Sequence, residues 1–121
     1  MSSDENSRFI DKHMPIIEVL RGKHALDVTF MDLRSVSGFT DAFIVVSARS
    51  DINARTLLEA VTDKLDETGT TYKVEGAESV RWKLVDTGDV VIHIFSKTGR
   101  EFYKLERLWG DAPITTFEDE E

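Results

Sequence analysis

The sequence lacks cysteine, long apolar runs and an excess of basic residues, and each absence excludes a class of protein. Without cysteine there is no disulfide scaffold, thiol nucleophile or thiolate metal site. No apolar run is long enough to span a membrane, and the polar, acidic start is unlike a signal peptide. The 121 residues, 40% hydrophobic and 31% charged, instead predict one globular domain with an adequate core.

The net charge of −8 comes from the two ends of the chain. Seven of the 23 acidic residues lie in residues 1–7 and 111–121, where no basic residue occurs. Residues 8–110 therefore carry 15 basic and 16 acidic side chains. Because a phosphate backbone is bound by an excess of Lys and Arg, we expect no direct sequence-specific binding of nucleic acid. A body of near-zero charge fits contact with another protein.

The periodicity of apolar residues predicts a disordered tail at 1–8, one domain at 9–110 and an acidic tail at 111–121. The predicted elements alternate in the order α-β-β-α-β-β-β-α. The first is a helix at 9–20, in which Pro15 should cause a kink or break. Strands at 24–34 and 41–48 follow, and then a helix that is capped by Ser50 and ended by Gly69. The remaining elements are a strand near 71–74, a hairpin at 82–95 and a helix at 100–109. This order predicts the α/β class (α+β mixed), with helices packed on a mixed sheet of about five strands.

The hairpin at 82–95 has two faces of different composition. A two-residue Thr-Gly loop would pair Trp82 with His93 and Asp86 with Asp89, all on one face. Because this face mixes an indole, an imidazole and carboxylates, we expect it to be partly exposed. The other face is almost entirely aliphatic and is the better candidate for the core.

Motif searches give no positive support for most kinds of catalysis. The three histidines, His13, His24 and His93, have no His or Cys at metal-ligand spacing, which favours hydrogen-bonded or surface roles. Neither a nucleophile elbow, nor a P-loop, nor a dinucleotide-binding glycine pattern occurs. We therefore predict no catalytic residue, no metal and no cofactor.

Asp86 and Asp89 leave one enzymatic alternative open. Two carboxylates flanking a tight turn could hold a divalent cation for nucleotidyl transfer. Such enzymes also need a Gly-Ser phosphate cradle and a third carboxylate, whereas this chain has Ser37-Gly38, in the wrong order, and Asp41. Asp is also simply a good turn-flanking residue, which is the favoured interpretation. A metal-dependent nucleotidyltransferase-like enzyme remains the alternative.

Two tryptophans are the largest candidate anchors. Trp109 lies on the apolar stripe of the last predicted helix, which favours the core. Trp82 lies on the mixed face of the hairpin, where an interface and a core position are equally compatible with its surroundings. Tyr103 is off the apolar stripe of the last helix, so it and Arg100 are either exposed binding residues or part of a solvated face.

The stretch from Gly76 to Trp109 resembles the ribosomal silencing factor family (RsfS, also called YbeB or Iojap). The matching motifs are Trp82-x-Leu-Val-Asp86, Gly88-Asp89-Val-Val-x-His93-x-Phe95 and Arg100-x-Phe-Tyr103-x-Leu105-Glu106-Arg107-Leu108-Trp109. Upstream, Asp32-Leu33-Arg34, Asp41-Ala-Phe-Ile-Val-Val, Ser50-Asp51 and Val74-Glu75-Gly76 follow the family in the same order. Thr87 departs from the family, which would have an aromatic residue at the hairpin tip.

The resemblance implies a fold similar to nucleotidyltransferases without the catalytic set, a cytoplasmic location and, in some members, a homodimer. It also implies binding to the large ribosomal subunit through its protein fourteen. That binding would block joining with the small subunit and repress translation, and the family is linked to large-subunit maturation. Within the matching motifs, the predicted partner-binding residues are Trp82, Asp86, Asp89, His93, Arg100 and Tyr103.

Overall fold

The computed structural model describes residues 3–36, 40–103 and 112–119, which contain three helices and six strands. In chain order they are α1 (Ser3–Gly22), β1 (Leu26–Asp32), β2 (Ala42–Ser47), α2 (Asp51–Glu67), β3 (Lys73–Glu75), β4 (Trp82–Asp86), β5 (Val90–Phe95), α3 (Lys97–Tyr103) and β6 (Ile114–Thr116). The predicted α/β class with helices on a mixed sheet is confirmed. No helix of the described residues has the length and apolar character needed to cross a bilayer.

All six strands form one sheet in the order β3-β4-β5-β2-β1-β6. Only β2 and β5 are parallel neighbours, and every other adjacent pair is antiparallel. The strand predicted near 71–74 is β3, at the edge of the sheet and separated from β2 by β4 and β5. The sixth strand, β6, lies within the stretch expected to be only an acidic tail. It pairs with β1, and the Phe117 N–H donates to the Val28 carbonyl at 2.9 Å.

The first helix begins earlier than expected. It starts at Ser3, so the tail predicted to be disordered over residues 1–8 is helical from that residue. Pro15 lies inside the helix, at a cost of about 3 kcal/mol for an interior position. Burial of Ile16, Ile17 and Leu20 against the sheet offsets this cost, since each fully buried aliphatic side chain contributes about 1.5–3 kcal/mol.

The second helix begins where its sequence predicts. The Ser50 Oγ accepts a hydrogen bond from the Asn53 N–H at 3.0 Å, which is N-cap geometry. The predicted apolar stripe is buried against the sheet through Ala54, Leu57, Val61 and Leu65. Helix α2 therefore covers the same face of the sheet as α1.

The hairpin of β4 and β5 has the predicted faces but not the predicted register. Trp82 lies opposite Phe95, and Leu84 lies opposite His93, which is a shift of two residues from the expected pairing. The loop consists of Gly88 and Asp89, because the Thr87 N–H donates to the Val90 carbonyl at 3.0 Å and Gly88 adopts a φ of +93°. A shift of two residues leaves each side chain on its own face, since the strand repeat is two.

The sheet has two contrasting faces. The helix-covered face packs against α1 and α2, and its sheet residues include Val28, Phe30, Ala42, Ile44, Val46, Val85, Val90, Ile92 and Ile94. The opposite face, here called the aromatic face, comprises Met31, Leu33, Phe43, Val45, Trp82, Leu84, Asp86, Val91, His93 and Phe95. Helix α3 lies on the aromatic side, because Arg100 bonds to Ser47 and Thr29, which alternate with residues of the helix-covered face. The last helix was predicted from Arg100 to Trp109, and residues 104–111 lie outside the described ranges.

Candidate partner-binding face

Four rings form a cluster on the aromatic face. The Trp82 ring is nearly parallel to those of Phe95 and His93, with centroids 5.3 Å and 5.8 Å away. The Phe43 ring meets the His93 ring edge-on at 4.5 Å. Trp82 is half-buried, whereas Phe43, His93 and Phe95 are buried. The indole is therefore the outermost ring of the four.

A hydrogen bond joins the outermost ring to the buried imidazole. The Trp82 Nε1–H donates to the His93 Nδ1 at 3.0 Å. Because Nδ1 accepts, the proton of the neutral ring is on Nε2. Burial lowers the pKa of His93 to about 4, although the nearby Asp86 carboxylate acts in the opposite direction. At neutral pH the imidazole is therefore uncharged and able to accept this bond.

His93 itself lies beneath the aromatic face rather than on it. Its residue surface is only 5% exposed, which leaves little area for direct contact, and its role as a partner-binding residue stays a prediction. The alternating pattern of the hairpin identified the correct face, but it gave no information on how deep each side chain would lie. The central strand β2 supplies Phe43, which covers one side of the imidazole.

The structure does not bring Asp86 and Asp89 together. Asp86 is half-buried at the end of β4, where its Oδ1 accepts the Gly88 N–H at 2.8 Å. Asp89 lies in the loop, and its carboxylate is 3.8 Å from the Lys12 ammonium of α1, toward the helix-covered side. Of the two, only Asp86 borders the aromatic face. Among the described residues, no three His, Asp or Glu side chains are grouped so that they could hold a metal ion.

Arg100 is engaged within the protein. Its guanidinium donates to the Asp27 carbonyl at 2.6 Å and to the Thr29 hydroxyl at 2.8 Å. These groups belong to an irregular part of β1, where the register shifts between Leu26 and Thr29 and Asp27 has a φ of +51°. The arginine therefore ties α3 to β1, and its predicted contact with a partner stays a prediction.

Two residues remain to be placed, the predicted Tyr103 and the unpredicted Leu84. Tyr103 ends α3, and its side chain lies outside the described part of the molecule. Leu84 is half-buried between Trp82 and Asp86 on β4 and joins the apolar cluster of the aromatic face. The alternation of the hairpin placed Leu84 on this face, and its position beside the indole makes it a candidate contact.

Two cavities elsewhere in the described structure have mixed charge. One, of about 270 Å³, lies between α1, the end of α2 and the hairpin loop, and Lys12, Lys64 and Asp89 line it. The other, of about 280 Å³, lies beside the first turn of α2, and Asp51 and Lys83 are among its lining residues. The first lining has two lysines and one aspartate, and the second has two acidic and two basic side chains, so neither carries a strong charge of one sign.

Comparisons with known proteins identify the family. The model of the family described as "Ribosomal silencing factor during starvation" matches residues 6–121, nearly the whole chain. The chain belongs to this family. The resemblance noted in the sequence is thereby confirmed, and the matched region extends beyond the domain predicted at 9–110 in both directions.

Individual relatives agree with this assignment. The ribosomal silencing factor RsfS of Bacillus subtilis is 41% identical over 93 residues, which are 76% of this chain and 79% of that protein. A crystal structure from Chromobacterium violaceum superimposes with a TM-score of 0.76 at 32% identity and covers 91% of this chain and 88% of its own. A more distant mouse relative, named mitochondrial assembly of ribosomal large subunit protein 1, is 26% identical over 109 residues, which are 87% of this chain and 46% of that protein.

Proposed function

We propose that this protein silences translation by binding the large ribosomal subunit through its protein fourteen, with the aromatic face as the contact. The observation that carries the proposal is the half-buried Trp82, held at the surface of an aromatic cluster. Leu84 and Asp86 lie beside it on the same strand. Membership of the ribosomal silencing factor family and the name of the mouse relative support the choice of partner.

The composition of this face suits a protein partner. Tryptophan is among the residues that contribute most to protein interfaces, above all where neighbouring contacts exclude water from it. Leu84 supplies apolar surface next to the indole, and the Asp86 carboxylate provides a charge for a Lys or Arg of the partner. An interface of standard size buries about 800 Å² on each partner, which a domain of this size can provide.

The proposed mechanism is steric. A bound silencing factor occupies the surface of the large subunit that meets the small subunit, so whole ribosomes do not assemble. The extent of blocking follows mass action, and each ~1.4 kcal/mol of binding free energy changes the dissociation constant tenfold. The same contact would let the protein act during large-subunit maturation. We place this activity in the cytoplasm, and formation of a homodimer remains a prediction.

The test is sedimentation of purified ribosomal subunits through a sucrose gradient, with and without the protein. The proposal predicts that added protein co-sediments with the large subunit and decreases the peak of whole ribosomes. Ile52→Ala, a substitution at a 74% exposed position on α2 away from the aromatic face, should be as active as the unmodified chain. An unchanged whole-ribosome peak at saturating protein concentration would contradict the proposal.

A further inference from the structure

We propose that His93 is a positioning residue that holds the Trp82 indole in its binding orientation. This role rests on the function proposed above, because it concerns the same face and the same partner. The indole is fixed by a hydrogen bond from its Nε1 to His93 Nδ1 at 3.0 Å and by near-parallel contacts with the His93 and Phe95 rings. His93 thus acts on the partner through Trp82.

A role limited to filling space does not account for a histidine at this place. The Nε2 atom of His93 is buried and has no hydrogen-bond partner among the described residues, which is an unfavourable arrangement for a polar group. An aliphatic residue of similar size would avoid that cost. However, an aliphatic residue at position 93 would leave the Nε1–H of the half-buried Trp82 without its acceptor.

A held indole favours binding because less side-chain freedom is lost when the complex forms. The cross-strand register explains why position 93 can do this. Trp82 lies opposite Phe95, and His93 is two residues earlier on the same face of β5. The indole therefore contacts both rings, and its Nε1–H reaches the Nδ1 of the imidazole.

The experiment compares substitutions of His93 in the full-length chain. His93→Asn keeps an oxygen acceptor near the position of Nδ1, whereas His93→Phe keeps the ring contacts and lacks the acceptor. His93→Leu is a second variant without an acceptor, of smaller size. For each protein, the affinity for purified large ribosomal subunits, the thermal midpoint and the hydrogen-exchange rate of the Trp82 indole N–H by NMR are measured, with the resonance assigned through Trp82→Phe.

We expect His93→Phe and His93→Leu to exchange the indole proton faster and to bind large subunits about tenfold more weakly than the unmodified chain. His93→Asn should bind large subunits with an affinity within about threefold of that of the unmodified chain. Its thermal midpoint should be no higher than that of His93→Leu. Equal affinity of the Asn, Phe and Leu variants would overturn the positioning role.

Trp82→Ala separates this role from the function on which it rests. If Trp82→Ala weakens binding while His93→Phe and His93→Leu do not, only the role of His93 is overturned. If Trp82→Ala itself binds as well as the unmodified chain, the aromatic face is not the contact, and both proposals fail.

Discussion

The two faces of the sheet are built from the same strands but differ in composition. On β4, Val85 is completely buried on the helix-covered face, while Leu84 and Asp86 on either side of it are half-buried on the aromatic face. The helix-covered face is mostly aliphatic and packs against two helices. The aromatic face combines rings, an imidazole and a carboxylate. Alternation along β4 thus places a buried aliphatic residue on one face of the sheet and half-buried residues on the other.

One charged residue departs from this division. Lys83 lies on the helix-covered face and is only 4% exposed. Its ammonium donates to the Ala77 carbonyl at 2.7 Å and also to the Ser79 carbonyl, so the buried charge is hydrogen-bonded by the loop that leads into β4. This contact holds the loop against the sheet and does not alter the aromatic face.

The largest effect is expected at the centre of the helix-covered face. Leu57→Ala removes a completely buried side chain of α2 and should lower the free energy of unfolding by about 2–5 kcal/mol. Leu84→Ala, the matched truncation on the aromatic face, should cost clearly less because Leu84 is half-buried. Urea denaturation measures both. Equal losses would show that the two faces contribute equally to stability.

The next effect is the acid sensitivity that His93 gives to the aromatic face. Its pKa falls from 6.5 to about 4 on folding because of burial, so the folded state favours the neutral ring. The corresponding stability is complete above pH 6.5 and is lost as the pH falls toward 4, by about 3 kcal/mol in total. Denaturation at several pH values measures this loss, and His93→Asn should flatten the profile. His13, whose pKa burial also lowers, contributes in the same direction and remains in both proteins.

Arg100 should behave as a structural residue rather than a binding residue. Arg100→Gln removes the charged donor from the Asp27 carbonyl and the Thr29 hydroxyl, and we expect a loss of about 2 kcal/mol in the free energy of unfolding. Affinity of the folded protein for large subunits should change less than threefold. A large loss of affinity without a change in stability would instead support the prediction that Arg100 contacts the partner.

Trp82 should show the opposite behaviour. Trp82→Ala is expected to weaken binding to large subunits by at least ~1 kcal/mol while the domain remains folded. Circular dichroism checks the fold, and co-sedimentation checks the binding. The opposite result would be a Trp82→Ala variant that is partly unfolded and whose folded fraction binds large subunits with unchanged affinity. That result would contradict the proposed difference between the two faces.

The smallest effect distinguishes the two aspartates. Asp86→Asn should weaken binding only a few-fold, and the loss should shrink as salt is added, because a charge near the rim of an interface acts mainly on the association rate. Asp89→Asn should have no effect on binding, since Asp89 lies toward α1 in the hairpin loop. If Asp89→Asn weakened binding more than Asp86→Asn does, the contact would lie at the hairpin tip rather than on the aromatic face.

Local patterns predicted much of the fold. Ser50 identified the start of α2, and the apolar run of β2 predicted a central strand that is buried along its whole length. The two faces of the hairpin also followed from alternation alone. These features succeed because capping, burial and strand periodicity are encoded within a few neighbouring residues.

The missed features depend on distant contacts or on weak local signals. The three exposed residues of β6 have no periodic signal, and only pairing with β1 makes them a strand. The hairpin register depended on which residues would adopt the loop conformation at Gly88. Arg100 bonds to residues more than 70 positions away, and His93 is packed against Phe43 of another strand. The candidate site was therefore predicted as a face, whereas the roles of its members needed the tertiary structure.

A footprint on single-cysteine variants tests most directly whether the aromatic face is the contact. The chain has no cysteine, so Leu84→Cys and Ile52→Cys each introduce one thiol, on the aromatic face and on the outer side of α2. Alkylation rates are measured with and without saturating large subunits. We expect subunits to slow alkylation at position 84 by at least tenfold and to leave the rate at position 52 unchanged. Protection at position 52 with none at position 84 would contradict this expectation.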